Sequence, residues 1–178
     1  MASRWIKAGG VIAYPTEAVF GLGCEPSDPL AVTRLLAIKK RSPDKGLILV
    51  AADWAQLQPW LQPQPADLQR RMLRSWPGPV TWLVPAADAC PSWLTGAHST
   101  LAVRVSAHPV VRDLCQRVGS ALVSTSANFS GRPPAVSALM VRWTLGKEID
   151  YVLTGPLGQQ KKPTEIRDLR TGTVLRRG

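Results

Sequence analysis

TLAVRVSAHPVVRDLCQRVGSALVSTSANFS, residues 100–130, reads in succession as strand, helix, strand and polar loop. Thr100–Val105 is an apolar, β-branched run that suits a strand. His108-Pro109 opens a helix, because a proline in the first turn gives up an N–H that has no intrahelical partner anyway. That helix runs through Val118, and Gly119 is its natural C-cap. Ala121–Thr125 is the next strand, and it feeds the loop SANFSGRPP.

The same alternation extends in both directions. Upstream, Gly10–Tyr14 is a β-type run ended by Pro15. Asp28 is an N-cap candidate with Pro29 in the first turn, and Val32, Leu35, Leu36 and Lys39 follow at helical spacing. Gly46–Val50 is a continuous apolar run suited to a buried strand. Asp53 is expected to open a short helix broken by Pro59, and residues 65–76 a longer one that ends before the turn Pro77-Gly78-Pro79. Val80–Val84 is a strand, and the segment Tyr14–Gly23 reads as a loop after the first strand. Downstream come a weaker helix over Ser137–Leu145 and short strands at Tyr151–Leu153, Ile166–Leu169 and Thr173–Leu175. Strands with interleaved helices indicate an α/β or α+β domain, and the short strands near the end favour a mixed sheet. No repeat or linker divides the chain, so residues 1–178 are read as a single domain.

Composition narrows the function classes. Hydrophobic residues make up 45% of the 178 residues, which argues against disorder. No apolar run approaches the roughly 18 residues of a membrane span, and the N-terminus lacks the apolar segment of a secretory signal. The three cysteines, Cys24, Cys90 and Cys115, are too few and too scattered for a disulfide framework or a CxxC metal site. A reduced, cytoplasmic protein without membrane contact is expected. With 22 Lys+Arg against 12 Asp+Glu, the net charge of +10 favours phosphate-bearing partners, whether nucleotide or nucleic acid. The charge gathers at Lys39-Lys40-Arg41 with Lys45, and at Lys161, Lys162, Arg167, Arg170, Arg176 and Arg177.

Three places invite chemistry. Tyr14–Gly23 holds closely spaced glycines but neither a GxGxxG nor a Walker A pattern. Lys39-x-Arg41 sets two cations one residue apart; in an extended stretch both would face one polyphosphate. The helix dipole alone would also favour lysines at that helix end. Ser124-Thr125-Ser126-Ala127-Asn128 clusters hydroxyl and amide groups after a strand, as a polar ligand requires and as an ordinary turn also allows. No GxSxG elbow, HExxH motif or paired acid and base stands out. His98 and His108 are the only histidines, with His108 read as a helix-start residue. Nothing nearby activates Cys24, and the seven tryptophans read as core or groove walls.

YPTEAVFGLG (14–23), AIKKRSPDKGLILV (37–50), WPGPVTWLVP (76–85), TLAVRV (100–105), VSTSANFSGRPP (123–134) and PTEIRDLRTGTVLRRG (163–178) carry a resemblance across essentially the whole chain. They resemble, in order, the threonylcarbamoyl-AMP synthases of the YrdC/TsaC type, in the short bacterial form. The resemblance implies a twisted, open mixed sheet with flanking helices and a basic concave cleft. It implies that L-threonine, bicarbonate or CO2, and ATP give threonylcarbamoyl-adenylate and pyrophosphate. Mg²⁺ is expected on the phosphates. Other proteins would then move the threonylcarbamoyl group onto the adenosine beside the anticodon of tRNAs that read codons beginning with A, with a tRNA or double-stranded RNA contact as a further expectation.

Carried over by position, the resemblance puts Lys39, Arg41, Ser126 and Asn128 at the catalytic nucleotide-phosphate site, with Thr100 and Arg176 as further ATP contacts. Arg104 would clamp threonine's carboxylate, joined by Ser124, Thr164 and the segment around Ala18. Relatives usually read YPTET or YPTDT, whereas Ala18 replaces the second threonine here and Phe20 stands where tyrosine is common. If that hydroxyl touches the substrate, one hydrogen bond of about 0.5–1.5 kcal/mol is missing. The alternative is a double-stranded RNA or ribosome-associated factor that uses the basic charge without chemistry. A related carbamoyl transfer is a second alternative, against which the absence of zinc-finger cysteines counts.

Overall fold

Asp28 opens the long second helix by accepting hydrogen bonds from the N–H groups of Leu30 (2.9 Å) and Ala31 (3.1 Å), with Pro29 in the first turn. Similar local rules set most elements of the computed structural model, which describes residues 1–160 and 162–177. Lys161, part of the C-terminal basic cluster, lies outside the described residues. The helices are α1 (Ala2–Lys7), α2 (Pro29–Lys39), α3 (Ala66–Leu73), α4 (Ser92–Thr95), α5 (Pro109–Val118) and α6 (Ala138–Leu145). The strands are β1 (Ile12–Pro15), β2 (Phe20–Cys24), β3 (Ile48–Ala51), β4 (Val80–Pro85), β5 (Thr100–Val105), β6 (Leu122–Ser126), β7 (Tyr151–Val152), β8 (Glu165–Asp168) and β9 (Val174–Arg176).

Among the described residues the strands form one sheet in the order β7-β1-β2-β6-β3-β5-β4-β8-β9. The β1–β7, β3–β5 and β4–β8 pairs are parallel and the others antiparallel, so the sheet is mixed, as expected. One core cluster packs Leu49, Ala51, Leu101, Val103 and Val123 with Val32 and Leu35 of α2 and Val141 and Leu145 of α6. A second packs Ile12, Tyr14, Val50 and Leu122 with Ile6 of α1 and Val111, Leu114 and Val118 of α5. Alternate strand positions therefore serve opposite layers. The cluster around α1 and α5 takes only some of the side chains on its face, and others line a cleft.

Three expectations are corrected. Residues 20–24 are a strand rather than loop: Gly21 and Gly23 disfavour β structure by composition, but the space requires them. A Cβ at Gly23 would stand 2.5 Å from the Val123 carbonyl oxygen and 2.8 Å from the Tyr14 ring. The helix expected at Asp53 is replaced by turns and a short 3₁₀ segment, Gln58–Trp60. There Asp53 Oδ1 accepts from Gln56 N (3.2 Å), and the Gln56 side chain accepts from Ala52 N (2.9 Å) while donating to the Cys115 carbonyl (3.1 Å). Tryptophan burial holds for Trp76 and Trp82, with Trp54, Trp60 and Trp93 packed on the core, but Trp143 is 89% exposed and Trp5 is exposed as well. The short helix α1 has no counterpart in the sequence reading. Among the described residues no helix is long and apolar enough to cross a membrane.

The Gly23 contact is directly testable. Gly23→Ala pushes a methyl into backbone on β6, which cannot yield without breaking the β2–β6 pairing. The expected loss is about 2–4 kcal/mol, read as a lowered denaturation midpoint with unchanged slope.

Candidate active site

Along β5 the period-2 alternation sends Thr100, Ala102 and Arg104 to one face. There they join Ile48 and Val50 of β3 and Ser124 and Ser126 of β6 along a cleft of about 600 Å³. The Thr16–Phe20 turn, Arg41, Lys45 and the segment Pro163–Thr164 also border it, as do His98 and Arg176. Of the ten residues carried over from the resemblance, Ala18, Arg41, Thr100, Arg104, Ser124, Ser126, Thr164 and Arg176 line this space. Lys39 and Asn128 are not among the lining residues.

Lys39 turns inward. It is 3% exposed, and its Nζ donates to the carbonyl oxygens of Ser126 (2.5 Å) and Asn128 (3.0 Å) and to Asn128 Oδ1 (2.9 Å). An ammonium has three protons, so every donor is taken. Ser126 Oγ also donates to Asn128 Oδ1 (2.6 Å), and Asn128 Nδ2 donates to the Arg132 carbonyl. The loop then returns to β2 through Phe20 N–Ala135 O and Ala127 N–Phe20 O, both 2.8 Å. Burial, and after it the nearby Arg41 charge, push the Lys39 ammonium down to about 8. Lys39 and Arg41 do not form the extended pair expected, because Lys40 between them takes a left-handed conformation at φ 50°.

Arg41 donates to the carbonyl oxygens of Lys45 (3.3 Å) and Gly46 (3.0 Å) and lies on the cleft wall. Arg176 donates to the Thr164 carbonyl (2.8 Å). Burial presses the pKa of Arg41 and of Arg176 down, and for Arg176 the charges of Arg41 and Arg104 add to it, so three guanidiniums share one space. Thr164 Oγ1 lies 3.3 Å from Thr81 Oγ1, within hydrogen-bond reach.

Arg104, 5% exposed, differs from the other two: its Nη1 is paired with Glu17. Ser106 Oγ donates to the same Glu17 oxygen at 2.6 Å and accepts from His108 N at 3.1 Å. Burial works to raise the Glu17 pKa, but Arg104 and Ser106 together outweigh it and hold the carboxyl below its usual value. Burial also lowers the His108 pKa, against a partial opposing effect of Glu17, so its ring favours the neutral form at the head of α5. Glu17, Ser106 and the cleft-lining His98 carried no sequence signal of a role, since Glu17 and Arg104 lie 87 positions apart, whereas Lys45 belonged to the basic cluster read from the sequence.

Among the described residues no group of three or more His, Cys, Asp or Glu could hold a metal ion. Among the described residues Glu17 is the one acidic side chain along the cleft, and its charge is taken by Arg104. The donor set therefore suits a cation that arrives on a phosphate-bearing substrate rather than one held by protein carboxylates.

The role of Lys39 has a measurable consequence. Lys39→Met removes the donor from three part-buried acceptors, a loss of roughly 1.5–3 kcal/mol for a charge-assisted set. Amide exchange at Ala127 and Ala135 is expected to accelerate about 10- to 150-fold at pH 7 while β3 and β5 keep their protection. Unchanged exchange in that loop would show that the lysine does not pin it.

The family model Sua5_yciO_yrdC, described as Telomere recombination, matches residues 4–178. A threonylcarbamoyl-AMP synthase of Nitrosococcus oceani is 55% identical over 176 residues, covering 99% of this chain and 95% of that protein. The crystal structure of P. abyssi Sua5 complexed with L-threonine superposes with a TM-score of 0.92 at 32% identity, over 98% of this chain and 52% of that one. This chain thus spans about half the length of that structure. E. coli YciO gives a TM-score of 0.85 at 28% identity, over 98% of this chain and 86% of its own. With a family model matched along nearly its whole length and the same mixed sheet in solved relatives, the chain belongs to the Sua5/YciO/YrdC family.

Proposed function

We infer that this chain is an enzyme of tRNA modification that makes threonylcarbamoyl-adenylate from L-threonine, bicarbonate or CO2, and ATP, releasing pyrophosphate. The observation that carries the reading is that one cleft holds two kinds of cation. Arg104 is neutralised by Glu17, whereas Arg41 and Arg176 have no acidic partner among the described residues. The name of the N. oceani relative and the threonine complex of P. abyssi Sua5 support the same assignment.

The chemistry needs little acid or base from the protein. Threonine's neutral amine takes up CO2 and gives one proton to solvent to form a carbamate, whose anionic oxygen attacks the α-phosphorus of ATP. The bond to the bridging oxygen breaks, and pyrophosphate leaves with its electron pair. The obstacle is the mutual repulsion of two anions, so catalysis by positioning and fixed charge suffices; effective molarity alone can contribute roughly 7–11 kcal/mol. In this reading Arg41, Lys45 and Arg176, which line the cleft, receive the phosphates, with Thr100 and Ser126 beside them, and Mg²⁺ enters as part of the nucleotide substrate. Arg104, Ser124 and Thr164 are placed to receive threonine. Lys39 and Asn128 act from behind, by holding the loop that presents Ser126. The adenylate would be consumed in the cytoplasm by proteins that transfer the group to tRNA.

Incubation with MgATP, bicarbonate and L-threonine is expected to yield pyrophosphate and an AMP conjugate that appears only when threonine is present. Pyrophosphate release independent of threonine would overturn the reading. Arg41→Ala removes a charge-assisted phosphate contact and should lower turnover about 10- to 150-fold with the fold intact by circular dichroism.

Ala18 is half-buried on the cleft wall beside Glu17. Ala18→Thr adds one hydroxyl there, worth about 1 kcal/mol as a neutral hydrogen bond. The threonine KM should fall a few-fold and the ATP KM stay constant; weaker threonine binding would place the amino-acid pocket elsewhere.

A further inference from the structure

The cleft must keep a single-charged carboxylate and a highly charged triphosphate apart, although Arg41, Arg104 and Arg176 all line it and Arg176 feels the charges of the other two. On charge alone a triphosphate would take all three. Arg104 is set apart by its surroundings. Nη1 is paired with Glu17, Nε is buried without a partner, and Nη2 carries no protein partner among the described residues. Glu17 is itself held from several sides: Ser106 Oγ donates to its carboxylate at 2.6 Å, and Gln160 N donates to its backbone carbonyl at 3.1 Å. Beside it, Gly158 N donates to the Thr16 carbonyl at 2.9 Å, and a Cβ on Gly158 would meet Glu17 Cα at 2.8 Å. Its second carboxylate oxygen is shielded from solvent and unpartnered, and Arg104 and Ser106 outweigh burial to hold the carboxyl below its usual pKa.

We propose that Glu17 is a specificity-determining and positioning residue that sorts the two anions. By pairing with Arg104 it fixes the guanidinium's free edge for the amino-acid carboxylate and withholds that cation from the triphosphate. The proposal rests on the inferred assignment of Arg104 to threonine. A guanidinium already matched by one carboxylate offers a directional Nη2 donor with little net field, enough for one further carboxylate oxygen held by geometry. Arg41 and Arg176, lacking acidic partners, keep their full field for phosphate. Without Glu17, Arg104 becomes an unmatched cation on a long, flexible stem: poorly placed for threonine and strongly attractive to phosphate.

Titration calorimetry with L-threonine, alone and in the presence of inorganic pyrophosphate, tests this on the intact chain. In the wild type, pyrophosphate should leave the threonine Kd unchanged within about twofold. Glu17→Gln should weaken threonine binding about tenfold and make pyrophosphate a competitor of threonine. Ser106→Ala, which removes one hydrogen bond to Glu17, should move both quantities the same way by a few-fold. If Glu17→Gln does not fold, Ser106→Ala decides. Glu17→Asp should recover part of the discrimination, which a purely structural role would not explain. Arg104→Ala separates the two claims: if it leaves threonine affinity unchanged, the carboxylate assignment itself fails. If Arg104→Ala abolishes threonine binding while Glu17→Gln, or Ser106→Ala in its place, leaves affinity and pyrophosphate competition as in the wild type, the sorting role is overturned.

Discussion

A guanidinium that is 5% exposed in a sheet interior has lost most of its hydration, and the structure answers that loss with one carboxylate. Removing one partner of such a pair leaves an uncompensated buried charge, typically a loss of 3–5 kcal/mol, whereas the intact pair adds little net stability. The Glu17–Arg104 contact therefore matters less for what it adds than for what it obliges. It ties the β1–β2 turn to the strand near the sheet centre, and through Ser106 to the head of α5. The segment that follows β7 is drawn in as well, since Gly158 and Gln160 donate to the backbone of that turn. Three parts of the chain distant in sequence are thus placed around one ion pair, and these parts border the cleft.

The same arrangement accounts for chemistry without a dedicated base. Arg104 and Ser106 hold the Glu17 carboxyl below its usual pKa, and burial turns the His108 ring toward its neutral form, so the charge at this end of the cleft is that of the Glu17–Arg104 pair. Preorganised charge in a partly desolvated space stabilises a reaction between anions without reorganising during the step. An oxygen nucleophile that is already anionic needs no more than this. The charges also differ in kind along the cleft, matched at Arg104 and, among the described residues, without an acidic partner at Arg41 and Arg176.

How much of this was legible in the sequence depends on how local each cause is. Asp28 with Pro29, and Gly119 after Val118, announced α2 and the end of α5 because capping acts within a few residues. The strand at Thr100–Val105 was legible for the same reason, and its alternation sets Thr100 and Arg104 on one face. Strand β2 was missed because its glycines answer to Tyr14 and Val123 across the sheet, a tertiary demand that overrides propensity. Glu17 was quoted yet given no role, because its meaning lies in a residue 87 positions away. The site came from a resemblance whose motifs located the cleft well but not the direction in which each side chain points.

Lys39 and Arg41 show why direction matters. Two cations at i and i+2 share a side only if the chain between them is extended. Here Lys39 is the last residue of α2 and Lys40 takes a left-handed cap, which reverses the chain before Arg41. The first cation is thereby turned behind the loop and the second onto the cleft wall. The consequence is mechanical as much as electrostatic. The loop that carries Ser126 and Asn128 is closed by an ammonium at the end of α2 and by backbone bonds to β2, so its geometry is set by two elements at once. The cleft walls carrying Arg41 and Ser126 are therefore fixed by the same helix end, since the residue that pins one wall sits two positions before the residue that forms the other.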